Sequence, residues 1–283
     1  MRVLILGADG LLGQALREAF RQHDLVSWGR AECDISDYRC LRTIRRTNAD
    51  IVLNAAAWTD VDGAENPANE PAVWATNRQG PTNVRTACDQ AGAKLIHFST
   101  NEVFAGVPGR FYAEIDQTGP GNTYGRSKRA GEVAVLANQS RHAVVRVSWL
   151  YGSGEADFPG KIMGAARRLG RLRVVDDEFG SPTWTAEVAK RVELLSRIDC
   201  RGVWHMTGAG VASRYDWAVF LLRHAGLGDI PVDAIGSGDW PRAATPPRHA
   251  VLKDTRLTGA GLPPMPAWRD SVKAWLADRT RNG

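Results

Sequence analysis

The chain has 283 residues and a formal net charge of +5, with hydrophobic and charged fractions of 43% and 24%, as in a globular protein with one large domain or two unequal ones. No segment approaches the roughly 18 apolar residues of a membrane span, and we expect no signal peptide before the first strand. No basic cluster is interleaved with aromatic residues, which argues against a nucleic-acid-binding module and leaves room for anionic ligands such as nucleotides.

The first predicted strand, residues 2–6, runs into a glycine-rich turn and an amphipathic helix. This is the context of a dinucleotide-binding fingerprint: Gly7 permits the tight turn, Gly10 lets the backbone approach a pyrophosphate, and Gly13 lets helix and strand pack closely. The phosphates then face the N-terminus of the helix. The GxxGxxG spacing is that of short-chain dehydrogenases/reductases. We assign to this site Gly7, Gly10, Leu11, Leu12 and Gly13.

The second strand, residues 25–28, leads to Arg30. A site specific for NAD prefers Asp or Glu here, whereas Arg30 offers a guanidinium group to a 2′-phosphate. The sequence therefore favours NADPH, with NADH also possible. The alternative is an exposed arginine without a ligand. We place Asp34 and Ile35 near the edge of the adenine.

The third strand, residues 50–53, stops at a row of small residues, which leaves room for a cofactor at the carboxyl edge of the sheet. A loop, residues 58–65, lies on the same edge, and a long helix follows it. The cofactor site predicted here comprises Ala55, Ala56, Ala57 and, on the helix, Asn77.

The fourth strand, residues 94–98, ends at Ser99 and Thr100 on that edge. The Thr100 hydroxyl could hydrogen-bond the carbonyl group of a substrate. The alternative is a Ser-Thr pair that merely ends a strand.

Tyr124 and Lys128 are four residues apart and so share one face of a predicted helix. A phenol with a pKa of about 10 is a poor acid at pH 7, and a neighbouring ammonium group lowers that pKa. The pair is suited to protonate a carbonyl oxygen when hydride reaches its carbon. The alternative is a helix with Tyr124 against the core and Lys128 in water.

A further strand at residues 143–147 would complete six β/α units, which predicts a doubly wound parallel Rossmann sheet within residues 1–150. Residues 151–283 are predicted to form mainly a smaller α/β substrate-binding domain, with some elements returning to the main sheet. Its predicted strands are residues 172–175 and 202–206. Its predicted helices are residues 158–169, a segment ending near 198, 213–225 and 268–277.

Taken together, these residues resemble the extended short-chain dehydrogenases/reductases and, among them, the dTDP-4-dehydrorhamnose reductase family. The similarity runs in order along nearly the whole chain. It rests on residues 7–13, 54–57, 61–65, 99–100, 103–104, 124–128, 131–132, 148–152 and 180–183.

The resemblance implies an enzyme that reduces the C4 ketone of a dTDP-4-keto-6-deoxy-hexose with NADPH. Tyr124 would be the acid, Lys128 would bind the nicotinamide ribose, and Thr100 would hold the C4 carbonyl. Trp149 would pack against the sugar. The substrate contacts implied for the remaining positions are Val61, Glu65, Asn101 and Glu102.

Two departures from the family pattern bear on the substrate. Asn101 and Glu102 replace the usual Asp-Tyr, and Thr245-Pro246-Pro247 replaces a usual Arg-Arg-Pro. A related reductase, for example of the dihydrostreptose type, would leave much the same signature. So would a non-catalytic nucleotide-binding regulatory subunit such as that of methionine adenosyltransferase, which resembles the same family.

The four cysteines show no CxxC pair and no zinc spacing. We therefore expect reduced structural thiols, a cytoplasmic location and no metal site. The expected partner is a dTDP-sugar, with neither nucleic acid nor membrane, and the expected assembly is a monomer or a homodimer.

Overall fold

The computed structural model describes residues 1–138, 140–154 and 156–282. The strands, numbered along the chain, are β1 (Arg2–Leu6), β2 (Asp24–Trp28), β3 (Ile51–Asn54), β4 (Lys94–Thr100), β5 (Phe111–Tyr112), β6 (Ala143–Val147), β7 (Leu150–Tyr151), β8 (Leu172–Val175), β9 (Phe179–Gly180), β10 (Thr183–Trp184), β11 (Gly202–His205), β12 (Ala212–Ser213), β13 (Val232–Ile235) and β14 (Val251–Leu252).

The α-helices are numbered in the same way. They are α1 (Leu11–Ala19), α2 (Cys40–Arg45), α3 (Glu70–Trp74), α4 (Gly80–Ala91), α5 (Thr123–Leu136), α6 (Phe158–Leu169), α7 (Thr185–Ser196), α8 (Arg214–His224) and α9 (Trp268–Asn282). A π-helical turn (Ala75–Gln79) joins α3 to α4, and short 3₁₀ turns include Gly63–Glu65 and Asn101–Val103.

The central sheet has six strands in the order β11-β6-β4-β3-β1-β2, and every pairing between them is parallel. This confirms the predicted doubly wound fold. One apolar layer packs α1 and α7 against one face of the sheet, with Leu16 and Val192 in its core. A second layer packs α2 and α4 against the other face, around Ile44 and Val84.

The expectation of six β/α units before residue 150 is wrong by one strand. Five strands of the main sheet precede that point, and the sixth, β11, comes from the second half of the chain and pairs with β6. Between β4 and β6, the described residues form a single strand, β5, which pairs with β14 outside the main sheet. The assignment of residues 1–150 to cofactor binding and of residues 151–283 mainly to substrate binding stays a prediction.

The second half of the chain builds its own apolar cluster beside the sheet. Short strand pairs (β7 with β10, β8 with β13, β9 with β12) frame a core that contains Trp217, Trp268 and Trp275. The four cysteines are free and buried. Among the described residues, we find no helix that combines the length and apolar character needed to cross a membrane.

The carboxyl ends of β1, β3 and β4 meet at one edge of the sheet because the three strands are parallel neighbours. The glycine turn follows β1, the alanine row follows β3, and Thr100 ends β4. This edge is where an open α/β sheet binds its ligand.

Candidate active site

The glycine turn after β1 leaves room for a phosphate group. Gly7 has a left-handed backbone (φ +74°), and a side-chain carbon there would lie 2.5 Å from the amide nitrogen of Ala56. A side-chain carbon at Gly13 would overlap the Gly7 carbonyl oxygen. Gly10 is exposed and precedes α1 with no side-chain cap, so the first amide groups of the helix stay available to an anion. A dinucleotide pyrophosphate therefore fits the segment that comprises Gly7, Gly10, Leu11, Leu12 and Gly13.

The segment after β2 holds Arg30 by an ion pair. Arg30 Nε lies 3.0 Å from Asp34 Oδ2, and the other Asp34 oxygen accepts hydrogen bonds from the amide and hydroxyl of Ser36. Although burial acts to raise it, the pKa of Asp34 is lowered by the hydrogen bonds from Ser36 and Arg30. The Arg30 side chain is 78% exposed. The structure therefore brings Arg30 and Asp34 together at the surface.

Ile35 lies apart from that surface. Its side chain is buried, and its terminal carbons pack against the backbone of Gly80 at the start of α4. Its carbonyl oxygen accepts a hydrogen bond from Asn83 Nδ2 at 2.9 Å. Contact of Ile35 with an adenine stays a prediction.

The alanine row lies next to the glycine turn, and Asn77 lies next to the predicted catalytic helix. Ala55, Ala56 and Ala57 are half-buried, and their small side chains leave space at the sheet edge. Asn77 is buried, and its Oδ1 accepts a hydrogen bond from the Trp58 amide at 2.9 Å. Its Nδ2 donates to the Trp58 carbonyl at 3.1 Å and to Ser127 Oγ at 3.0 Å. In this structure Asn77 thus ties the 58–65 loop to α5, from within the π-helical turn.

Tyr124 and Lys128 lie in the first two turns of α5, and both are buried. Asn122 caps the start of the helix, and its Oδ1 accepts a hydrogen bond from the Gly125 amide at 2.7 Å. Lys128 Nζ donates to the Phe98 carbonyl of β4 at 2.6 Å. The tyrosine and the lysine are therefore fixed to the edge of the sheet where the cofactor is predicted.

The pKa of Tyr124 differs from the sequence-based expectation. Burial raises it above its ordinary value, the nearby Glu102 carboxylate raises it further, and a hydrogen bond with Thr100 acts in the opposite direction. The sequence predicts that Lys128 lowers the pKa of Tyr124. That prediction is wrong, because desolvation of the phenolate dominates and the net shift is upward. The phenol stays protonated at neutral pH, which is the form that a proton donor needs.

Burial has the opposite effect on the lysine. It lowers the pKa of Lys128 to about 8, and the Glu132 carboxylate one turn further along α5 partly offsets this. Glu132 itself is buried and makes two hydrogen bonds of 2.8 Å to Arg146. Lys128 is therefore a cation at neutral pH that titrates close to it.

Thr100 joins the end of β4 to the residues that depart from the family pattern. Its Oγ1 accepts a hydrogen bond from the Glu102 amide at 3.1 Å and lies 3.3 Å from Asn101 Oδ1. Asn101 Nδ2 donates to the Ala250 carbonyl at 3.3 Å. Glu102 Oε2 accepts from Asn122 Nδ2 at 2.6 Å. The structure therefore places Glu102, more than Asn101, beside the start of α5.

The loop after β3 packs against the same helix. Glu65 accepts hydrogen bonds from the amide and hydroxyl of Thr123, at 2.6 and 3.1 Å. Val61 packs on the small apolar cluster that includes Tyr124. Asp62, between them in sequence, makes two 3.0 Å hydrogen bonds to Arg242. The predicted substrate loop therefore lies beside the predicted acid.

Trp149 has a strained backbone and a crowded ring. Its φ of +43° is rare for a residue with a side chain, and such strain persists only where surrounding contacts impose it. The Arg214 guanidinium carbon lies 3.6 Å from the ring centroid, and a side-chain carbon at Gly180 would lie 2.5 Å from the ring. Arg214 therefore covers part of the surface that the resemblance assigned to the sugar.

We call the carboxyl edge of the sheet beside Thr100, Tyr124 and Lys128 the cleft. Sequence reasoning missed three charged residues that act on Glu102 beside it: Glu178, Arg214 and Arg242. Glu178 lies 3.8 Å from Arg214. Burial lowers the pKa of Arg214 to about 10, and the carboxylates of Glu178 and Glu102 oppose that shift. Burial raises the pKa of the Glu102 carboxyl, and the guanidinium groups of Arg214 and Arg242 both act to lower it. These residues are far apart in sequence, and no local pattern marks them.

The part of the chain that the structure describes contains no group of three or more His, Cys, Asp or Glu side chains arranged to hold a metal ion. The reactive side chains brought together at the carboxyl edge of the sheet are the phenol of Tyr124, the ammonium group of Lys128 and the hydroxyl group of Thr100.

A family model described as RmlD substrate binding domain matches residues 1–281. A dTDP-4-dehydrorhamnose reductase from Mycobacterium tuberculosis is 39% identical over 287 residues, which covers 98% of this chain and 92% of that protein. A dTDP-4-keto-6-deoxy-D-glucose reductase from Streptomyces niveus is 36% identical, with 96% and 95% covered.

Solved structures that bear the same family name are also similar to this chain. A dTDP-4-dehydrorhamnose reductase from Bacillus anthracis in complex with NADP superposes with a TM-score of 0.93 at 28% identity, covering 98% of this chain and 99% of that one. The corresponding protein from Clostridium acetobutylicum gives a TM-score of 0.94 at 29% identity, covering 99% and 100%. The similarity therefore extends over the sheet, the cleft and the second half of the chain.

Proposed function

Since the chain belongs to the dTDP-4-dehydrorhamnose reductase family, we propose that it is an NADPH-dependent oxidoreductase that reduces the C4 ketone of dTDP-4-dehydro-L-rhamnose to give dTDP-L-rhamnose. The observation that carries this proposal is the meeting of Thr100, Tyr124 and Lys128 at the carboxyl edge of the sheet. All three are buried there, next to a glycine turn that fits a dinucleotide.

The proposed cofactor residues follow from that geometry. The glycine turn and the N-terminus of α1 would hold the pyrophosphate, Ala55–Ala57 would line the nicotinamide side, and Lys128 would hold the ribose. Arg30 would bind the 2′-phosphate, with Asp34 keeping its guanidinium group in place. When bound, NADPH supplies the hydride that reaches the ketone carbon.

The chain's own groups then serve the oxygen of that ketone. Thr100 and Tyr124, which hydrogen-bond each other, would both contact the carbonyl oxygen, and Tyr124 would give it a proton as negative charge develops. The charge of Lys128 would stabilise the phenolate that remains. Substrate contacts are proposed for Val61, Glu65, Asn101, Glu102 and Trp149.

A reductase of a related dTDP-ketosugar is the second candidate. Glu102 stands where the family has an aromatic residue, and a relative at 36% identity bears the name of a different ketosugar reductase. The other alternative, a non-catalytic regulatory subunit, is less well supported because the acid, the lysine and the threonine are all present and adjacent.

A direct assay tests the proposal. Purified protein would be incubated with NADPH and dTDP-4-dehydro-L-rhamnose, with cofactor absorbance followed and the sugar product identified. We expect one NADPH to be oxidised for each dTDP-L-rhamnose formed. Oxidation with another ketosugar of a small panel, but not with this one, would favour the second candidate. No oxidation with any of them would contradict an enzymatic role.

We also propose a cytoplasmic protein that acts as a monomer or homodimer, with residues 151–283 contributing mainly to the sugar site. The free, buried cysteines suit a reducing compartment. Light scattering of the purified chain would measure the assembly, and a larger oligomer would contradict the proposal.

A further inference from the structure

We propose that Glu102 determines specificity, by selecting ketosugars that carry a hydroxyl group on the carbon next to the reactive ketone. The inference rests on the proposed function and names a feature of the substrate that it requires.

The backbone of Glu102 is held between the groups that would bind the ketone. Its amide donates to Thr100 Oγ1 at 3.1 Å. Its carbonyl oxygen contacts α5 at Gly125, where any side chain would overlap it. Tyr124 is the neighbour of that glycine, and the Glu102 carboxylate is near enough to influence the Tyr124 phenol. Glu102 therefore lies beside the place proposed for the carbonyl oxygen.

The carboxylate keeps one oxygen for a ligand. Oε2 accepts the 2.6 Å hydrogen bond from Asn122, whereas Oε1 has no hydrogen bond within residues 1–138, 140–154 and 156–282. The side chain is half-buried and so remains open to the cleft. An ionised carboxylate can only accept hydrogen bonds, which means that its partner must be a donor.

The charges around Glu102 limit what that donor can be. Arg214 and Arg242 attract the carboxylate, Glu178 repels it, and burial raises its pKa. Because two guanidinium groups already attract it, a cationic sugar substituent is not needed for charge balance. A neutral hydroxyl group satisfies the free oxygen without adding charge to the cleft.

The structure of a 4-keto-6-deoxy sugar indicates which hydroxyl group this is. C4 has two neighbours in the ring: C5 carries the methyl group and the ring oxygen, and C3 carries a hydroxyl group. The C3 hydroxyl is thus the hydrogen-bond donor nearest to the ketone. A 3-deoxy sugar would leave Glu102 Oε1 without a hydrogen-bond donor in a partly buried cleft, which costs roughly 10- to 100-fold in kcat/KM.

The experiment compares two sugars in three proteins. NADPH oxidation would give kcat/KM for dTDP-4-dehydro-L-rhamnose and for its 3-deoxy analogue in the wild type, in Glu102→Met and in Glu102→Gln. We expect the wild type to prefer the 3-hydroxy sugar, the methionine variant to lose roughly 10- to 100-fold of that preference, and the glutamine variant to recover part of it. Should Glu102→Met not fold, Glu102→Gln alone must still reduce the preference.

Glu187→Met is the matched control, because it removes another half-buried carboxylate, which accepts a 2.6 Å hydrogen bond from Arg191 on α7 instead of adjoining Thr100. Its preference between the two sugars should equal that of the wild type. Equal losses on both sugars in the Glu102 variants would overturn the inference and leave Glu102 as a support for Asn122. No turnover of either sugar by the wild type would instead overturn the proposed function, and this inference with it.

Discussion

Among single residues, the Tyr124 phenol should have the largest effect on turnover. Tyr124→Phe removes only the hydroxyl group, and we expect kcat to fall by roughly 10²- to 10⁴-fold because the developing alkoxide loses its proton donor. NADPH binding, measured by fluorescence titration, should be unchanged. Tyr151→Phe is the control: that hydroxyl is also buried but has no hydrogen-bond partner in the described part of the chain, so its loss should leave kcat close to the wild-type value.

Lys128 should give the reaction an alkaline limit. Because burial lowers its pKa to about 8, the ammonium form is lost as the pH rises through that value, and kcat/KM should fall with it. Glu132→Gln removes a carboxylate that raises this pKa, so the descending limb should move to lower pH. A limb that stays in place in this variant, checked for an unchanged fold by circular dichroism, would show that another group titrates.

Arg30 should distinguish the two nicotinamide cofactors. Arg30→Ala removes a charged donor to the 2′-phosphate, and we expect NADPH to bind roughly 10- to 100-fold more weakly with little change for NADH. Arg39→Ala is the matched control, since Arg39 has an almost equal exposure and a similar pair with Asp37. Equal losses for both cofactors in Arg30→Ala would show that it does not recognise the 2′-phosphate.

At this scale the sequence indicated the residues that carry reactive groups but not their surroundings. Tyr124 and Lys128 follow from a four-residue spacing on a helix. The rise in the Tyr124 pKa depends instead on burial and on Glu102, which come from tertiary packing. The contact of Arg214 with the Trp149 ring joins residues 65 positions apart, so no local pattern could predict it.

For the secondary-structure elements, local signals were sufficient where a helix has clear ends. The predicted helix at residues 158–169 has the observed bounds, because Asp157 caps its start and a left-handed Gly170 ends it. The sequence predicts a strand where β11 lies but does not predict that it is the sixth strand of the main sheet. Its place depends on pairing with β6, some 60 residues earlier, and strand order is a property of the tertiary fold.

The start of α5 should couple stability to activity. Asn122→Ala removes the helix cap and the partner of Glu102, and we expect the free energy of unfolding, measured by urea denaturation, to fall by about 1–2 kcal/mol. We also expect a lower kcat, because Tyr124 lies in the first turn of this helix. Asp157→Ala removes the cap of α6 and should destabilise to a similar degree with kcat unchanged. Equal kcat values in the two variants would show that the cap of α5 does not affect catalysis.

At the scale of the whole molecule, the cleft is bridged by a pair of residues 180 positions apart. Asp62, on the predicted substrate loop, accepts two hydrogen bonds from Arg242 and a third from the Ala244 amide. These contacts join the loop after β3 to the second half of the chain, so they should set how firmly the sugar is enclosed.

Asp62→Asn should therefore raise the KM for the sugar nucleotide several-fold, because a neutral amide holds the guanidinium group more weakly. The dissociation constant of NADPH should not change. Asp233→Asn is the matched control, since Asp233 makes a similar two-bond pair with Arg171 within the second half of the chain. An unchanged KM in Asp62→Asn would mean that the bridge does not affect the sugar site.

The π-helical turn between α3 and α4 has a consequence for how the gene can change in length. Such a turn holds one residue more than the surrounding α-helix. A one-codon deletion there would let the two helices merge into a regular α-helix with little rotation of one relative to the other, because the turn already accommodates the extra residue. The cost would be local: Asn77 lies within the turn, and regularising it would disturb the hydrogen bonds of Asn77 to Trp58 and Ser127.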